Sequence, residues 1–377
     1  MTFMTKTTPA PLRPNFGLTQ RGRAGLEILG AMQKYSSTAY REEARSRFEN
    51  SAEGRALSAE HAADLEGAGV RGRLPKARDL AESDPMYRLE RFVQRYVAEE
   101  NFSRAIPAIE ERRAEFEQFL ATPVAEAGGS LDLSDAVGPD YYQKTDWHLE
   151  PGGWDGYDLY GPAFAYGIGP LVFRHGGYAA VGVGDDISDQ RLRAIRMLPK
   201  KHYSRIYEPG CGGGSTLFAV HQVFPDAELI GCDLSPVLLK MGDFVARMRQ
   251  IPVHFRQREL TATGEPDESV DAVVTYALHH ELTPSDNIAL FAEMFRIMKP
   301  GADLLLVDPP PFRVVSMFHS VVLDWDTKHR SEPFFTVSGL QNWDEELRKL
   351  GFIDVSSSAA GKDCYPWVIR ATKPLAS

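Results

Sequence analysis

The stretch RIYEPGCGGGSTLFAV, Arg205 to Val220, decides the fold. A short apolar run ends in a glycine-rich turn and passes into a helix-like pattern, which is how a nucleotide-type cofactor site begins on an open α/β sheet. The dinucleotide fingerprint requires G-x-G-x-x-G/A after the first strand. Counting from Gly210 gives Gly210 and Gly212, then Ser215 where the third glycine or alanine belongs. Two residues upstream stands Glu208, which makes the pattern E-x-G-x-G-x-G through Glu208, Gly210, Gly212 and Gly214. A carboxylate at a strand tip repels a pyrophosphate. It suits a ligand that presents an ammonium or a sulfonium.

Downstream, strand and helix alternate. RIYEPG, AELIGCDLS, VHFRQREL, VDAVVTYAL and ADLLLVDPP read as strands. STLFAVHQVF, PVLLKMGDFVARMRQ and NIALFAEMFRIM read as helices, the second opened by the cap and first-turn pair Ser235-Pro236. Alternation of this kind implies parallel strands with crossover helices in a doubly wound, Rossmann-like sheet. The end differs: a helix through GLQNWDEELRKLG, then the strands FIDVSSS and YPWVIRATK about a short turn, an antiparallel close.

In this order the motifs resemble those of class I S-adenosylmethionine-dependent methyltransferases, from about Tyr203 to Pro374. In that family an acidic residue precedes such a glycine turn, and the sheet has seven strands with an antiparallel final strand. The segments ALHH and RIMKPGA look most like the ubiquinone-biosynthesis type and the broad small-molecule methyltransferases; Ala302 stands where a second glycine is common. The resemblance implies S-adenosyl-L-methionine as cofactor, with Glu208, Gly210, Cys211, Gly212 and Gly214 in its cradle. It places Asp233, followed by Leu234, on the ribose hydroxyls, Glu259 and Leu260 at the adenine, and Tyr276 at the end of the fourth strand of that family.

Upstream the organisation changes. Residues 1–18, rich in Thr and Pro, read as a disordered tail. Residues 19–139 carry amphipathic helical patterns, with Ser83 or Asp84 as a cap before Pro85 and a stop at Gly128-Gly129. Packing, dimerisation or substrate enclosure are the uses of such a helical domain. Residues 140–200 begin with a segment crowded with aromatics and glycines and end in a linker helix; the segment is a cover or the wall of a pocket. The cofactor domain then occupies 201–377. Across all 377 residues, 43% hydrophobic content is ordinary for a globular protein. A formal charge of −10 argues against general nucleic-acid binding. Three scattered cysteines, Cys211, Cys232 and Cys364, give neither a disulfide framework nor a structural zinc spacing, and no metal is expected. No secretion signal or membrane-spanning run is legible, so the expected location is cytoplasmic.

Methyl transfer from a sulfonium is an in-line displacement in which alignment and desolvation supply much of the acceleration. A base is required only for a nucleophile that holds a proton of high pKa. His279 and His280, after VDAVVTYAL, and His148 in the aromatic segment are the candidates. Each has a plainer reading as a hydrogen-bonded structural group. Glu150 stands with His148 as a candidate, a satisfied surface loop being its plainer reading, and the tyrosines Tyr157, Tyr160 and Tyr166 are read first as wall and packing. VDPPPF, Val307 to Phe312, ends the fifth strand of the family's order, one strand later than the Asp/Asn-Pro-Pro-aromatic motif of amino-group methyltransferases, and reads as a stiff turn. The insert after it, rich in Phe, Val and Met, is expected to line the acceptor pocket. Two of the three cysteines fall in cofactor motifs, which leaves no thiol set for arsenic chemistry. Methylation of a small, largely apolar or aromatic acceptor at oxygen or carbon is thus the first expectation. The second is a cofactor-binding protein of the same fold with a regulatory or non-methyl-transfer role, and a dinucleotide oxidoreductase stands third.

Overall fold

The computed structural model describes residues 16–175 and 187–375. Most of the expected tail and residues 176–186 of the aromatic segment lie outside the described residues. Eight strands form one sheet: β1 (Ser130–Asp132), β2 (Arg205–Pro209), β3 (Glu228–Asp233), β4 (Val253–Gln257), β5 (Val270–Tyr276), β6 (Met298–Asp308), β7 (Ile353–Ala359) and β8 (Trp367–Thr372). Their spatial order is β1-β4-β3-β2-β5-β6-β8-β7. From β1 to β6 all pairs are parallel, and β8 runs antiparallel between β6 and β7. The doubly wound sheet with its antiparallel close is as expected. The count is eight rather than seven, because Ser130–Asp132, in the segment read as helical, adds an edge strand beside β4. A strand of three residues is too short for its alternation to register in a sequence.

The central strands are buried on both faces and read as continuous apolar runs. Ile206 and Tyr207 of β2, and Ala272, Val273 and Val274 of β5, have no exposed surface. Strand order reverses between β2 and β5, and the carboxyl ends beside that switch point are where open sheets bind ligands. Pairing of Glu208 with Gly231 and of Pro209 with Cys232 brings the tips of β2 and β3 together.

Caps fix where the helices enter. Ser235 accepts from the Leu238 amide at 3.1 Å and starts helix Pro236–Arg249. Thr283 does the same for Pro284–Ile297 through the Asp286 amide. In the N-terminal region Asp84, not Ser83, caps the long helix Pro85–Glu110, accepting from Met86 and Tyr87. That helix packs along Gln20–Tyr35 and across the aromatic segment. The insert after β6 contains helix Met317–His329, whose Phe318, Val321 and Val322 join Phe48, Leu74 and Tyr87 in one apolar core. Among the described residues, no helix is long and apolar enough to cross a membrane.

Candidate functional site

One cavity of about 600 Å³ opens over the carboxyl edge of the sheet, within the 300–1,000 Å³ usual for small-molecule sites. Its floor is the loop between β2 and helix Ser215–Val223. Gly210, Gly212 and Gly214 have φ of +64°, +49° and +74°, the left-handed region that glycine enters without strain. At Gly214 a side chain would also meet the Phe255 ring at 2.8 Å, whereas at Gly212 the nearest atom is 3.8 Å away. The first glycine allows close packing, and the second leaves the backbone open to a ligand. The loop is tied down by the Cys211 amide donating to the Cys232 carbonyl at 2.9 Å and the Gly212 amide donating to Asp233 at 2.8 Å.

Glu208 is 1% exposed, and its Oε2 has no hydrogen-bond partner. Burial pushes its carboxyl up to about 8, while Thr216 and the nearby Arg191 pull in the other direction. An ionised carboxylate left in such a place needs a cation. Arg191, on helix Ile187–Ile195, lies over the Tyr276 ring at 4.6 Å and has a buried Nε without a partner. Glu208 and Arg191 both line the cavity. Together they present an anion and a cation with unused hydrogen-bonding capacity, the complement of an amino-acid head group. Arg191 was not singled out in the sequence, because its helix carries no motif and only the fold brings it beside β2. Asp233 closes β3 and takes a second bond from the Ser235 amide at 2.9 Å. Leu234, Glu259, Leu260, Cys211 and Tyr276 border the same cavity. Every residue the sequence assigns to the cofactor except Gly214 borders it, and Gly214 closes the loop beneath.

The opposite wall comes from the aromatic segment: Tyr141, Tyr142, Trp147, Trp154, Tyr160 and Phe164. Phe102 of the long N-terminal helix stacks behind Tyr160 at 6.4 Å. Ser235 donates to Asp155 at 2.6 Å, so one residue caps a helix of the sheet domain and holds the wall in place. Tyr157 instead donates to Glu110, and Tyr166 packs on Phe116. The insert does not line this cavity, contrary to expectation; none of the described lining residues lies between 312 and 338. Its apolar side chains are committed to the N-terminal helices.

The three histidines part company. His279 is 1% exposed and faces away from the cavity. Its Nδ1 donates to Asn287 at 2.7 Å and its Nε2 accepts from Thr275 at 2.9 Å, while the Asn287 amide donates to carbonyl groups. Burial lowers its pKa, and with both nitrogens used it is a structural group. His280 Nδ1 donates to Asp308 at 2.9 Å, and Asp308 beside it outweighs burial and raises the imidazole to about 10. His148 borders the cavity beside Glu281, with its ring edge-on to Trp154. His148 and Leu149 have φ of +56° and +64°, two consecutive non-glycine residues in a region that costs each about 1–2 kcal/mol. Trp147, 1% exposed and donating to the Tyr142 carbonyl, anchors the turn that holds His148 there.

A sheet edge of this order with this loop and acid set defines a class I S-adenosylmethionine-dependent methyltransferase domain, and S-adenosylmethionine is the cofactor of that class. Residues 206–301 match the family described as "Methyltransferase domain". A demethylmenaquinone methyltransferase of Thermus thermophilus is 27% identical over 122 residues, 32% of this chain and 54% of that protein. A trans-aconitate 2-methyltransferase of Methylobacterium radiotolerans is 32% identical over 100 residues, 26% of this chain and 36% of that one. The chain thus spans about half the length, or less, of these curated relatives. Among solved structures, the S-adenosylmethionine-dependent methyltransferase SibL in its apo form overlaps with a TM-score of 0.43 at 16% identity, covering 50% of this chain and 55% of that one.

Proposed function

We propose that this protein transfers the methyl group of S-adenosylmethionine to a small, largely apolar or aromatic acceptor, at oxygen or carbon. The observation that carries the reading is Glu208, a buried carboxylate with a free oxygen at the tip of β2, facing a cavity whose other wall is aromatic. Glu208 and Arg191 hold the ammonium and carboxylate of the cofactor. Asp233 takes the ribose hydroxyls, and Glu259 with Leu260 borders the adenine. The bound sulfonium supplies an already activated methyl group, so this chain's part is to bind, align and exclude water. The aromatic wall excludes water and sandwiches the acceptor. His148 and Glu281 are the polar groups that orient its nucleophilic atom.

The lining favours a neutral acceptor over an anionic one. Its acids are Glu208, Asp233, Glu259, Glu281 and Asp286; its cations are Arg191, beside Glu208, and Arg249, stacked on Phe218 at 5.1 Å. A phosphate or polycarboxylate acceptor needs basic partners, and no Lys or Arg among the described lining residues comes from the aromatic segment. Cys211, Cys232 and Cys364 offer no thiol cluster, since Cys232 is fully buried and Cys364 packs against the Val314 carbonyl.

The test is release of S-adenosylhomocysteine from methyl-labelled cofactor with a panel of phenols, quinols and enols set against phosphorylated amines and tricarboxylates. Turnover confined to the first group is expected. Tight cofactor binding with no turnover on either group overturns the enzymatic reading in favour of a regulatory binder. Turnover confined to the anionic group overturns the acceptor class.

A further inference from the structure

At the acceptor end of the cavity, four side chains from three separate segments converge. His148 comes from the left-handed turn of the aromatic segment, and His280 and Glu281 from the tight turn after β5. Glu332 follows helix Met317–His329 of the insert. His148 Nε2 lies 2.8 Å from Glu332 Oε1 and 3.5 Å from Glu281 Oε1, and His280 Nε2 lies 3.8 Å from that same Glu281 oxygen. The donor atoms of His148, Glu281 and Glu332 are all within 4.8 Å of one another. Glu332 is 1% exposed, and its Oε2 has no partner.

Two explanations compete for this cluster. A closed network of ion pairs would draw its members to charged hydrogen-bond lengths of about 2.7–2.9 Å. Only the contact between His148 and Glu332 has that length, and separations of 3.5 and 3.8 Å are too long for hydrogen bonds. A metal ion with bonds of about 2.0–2.2 Å to nitrogen and oxygen sets neighbouring donor atoms roughly 3–3.6 Å apart, by the geometry of octahedral and tetrahedral shells. The 3.5 Å between His148 and Glu281 lies in that range, the 2.8 Å between His148 and Glu332 just below it, and the 3.8 Å to His280 outside it. His280, whose Nδ1 donates to Asp308 at 2.9 Å, flanks this group without joining it. The orphaned Glu332 oxygen is a further donor with nothing else to bind.

We propose that His148, Glu281 and Glu332 hold one first-row divalent metal ion beside the acceptor. One imidazole with two carboxylates selects zinc, manganese or iron over magnesium or calcium. His148 and Glu281 face the cavity, so an ion held there would be within reach of an oxygen atom of the acceptor. This narrows the acceptor class to hydroxyl-bearing molecules such as phenols and enols, and that part rests on the methyltransferase reading. The metal site itself does not. The ligands are scattered across 148, 281 and 332, a spacing with no linear motif.

The full-length chain, stripped with chelator, is titrated calorimetrically with zinc chloride, manganese chloride and magnesium chloride in the absence of cofactor. The expected result is one zinc or manganese ion per chain, with magnesium far weaker. Glu332→Gln and His148→Gln each weaken binding at least about tenfold, while affinity for S-adenosylhomocysteine stays that of the parent. Glu345→Gln, at an exposed position of helix Trp343–Lys349, leaves metal binding unchanged. Circular dichroism melts confirm that each variant is folded, and two independent ligand variants guard against one that is not. Absence of a stoichiometric site, or a site indifferent to both ligand variants, overturns the proposal. Failure to bind S-adenosylhomocysteine would instead overturn the methyltransferase reading and leave the metal site standing.

Discussion

Replacing Glu208 by glutamine keeps the shape of the side chain and removes its charge. Two effects of opposite sign follow. In the free protein the buried carboxyl, pushed up to about 8, is ionised only above neutral pH, at a cost to the fold. A folded-state pKa above the unfolded value means that the folded chain holds the proton more tightly, so apoprotein stability falls as pH rises from about 4.5 toward 8. Glu208→Gln removes that penalty and should raise the melting temperature of the apoprotein at pH 8. The cofactor effect is the reverse. Truncating one partner of a buried, hydrogen-bonded charge pair costs about 2–5 kcal/mol, or at least about 30-fold in affinity. That full loss applies where the parent is ionised, near pH 8. Each pH unit below the pKa costs the parent about 1.4 kcal/mol to release its proton. Its affinity for S-adenosylmethionine should therefore tighten close to tenfold between pH 6 and pH 7, with the variant flat. Titration calorimetry at pH 6, 7 and 8, paired with apoprotein melts, reads both effects. A deficit independent of pH, or a variant that binds as tightly as the parent at pH 8, would refute the reasoning.

Other variants separate the parts of the site. Arg191→Ala should weaken S-adenosylmethionine binding about tenfold or more, with little effect on adenosine binding, because only the amino-acid head group loses a partner. Gly214→Ala forces a φ of +74° on a residue with a Cβ and drives it into Phe255. Its cost of about 1–3 kcal/mol should appear in chemical denaturation together with loss of cofactor binding. Trp154→Ala, which removes the ring beside His148, should lower turnover at fixed acceptor concentration while cofactor affinity measured by calorimetry stays put. Asp84→Ala removes the cap of the long N-terminal helix and should cost about 1 kcal/mol of stability without altering cofactor affinity.

The sheet and its cofactor edge were legible because both are written locally. The acid at the tip of β2 and the glycines of the loop after it stand within seven residues, and helix Pro236–Arg249 announces itself with the cap pair Ser235-Pro236. β1 was illegible because three residues cannot display a period, and their pairing with β4 lies more than 120 residues away. The acceptor wall was legible only as composition. The sequence places aromatics between 140 and 175, but the left-handed turn that delivers His148 depends on Trp147 finding its buried site. The insert misled for a related reason. Apolar residues report burial, not what covers them, and here Phe318 and Val322 pack on helices more than 200 residues earlier in the chain. The adjacent His279 and His280 are equivalent in sequence; the side chain of Asn287 and the end of β6 give them different partners.

The most direct measurement is calorimetric titration of the full chain at pH 8 with S-adenosylmethionine and, separately, with NAD⁺. One molecule of S-adenosylmethionine per chain and no heat from NAD⁺ is the predicted result, since Glu208 welcomes a cation and repels a pyrophosphate. Stoichiometric binding of NAD⁺, or silence toward S-adenosylmethionine, would contradict it.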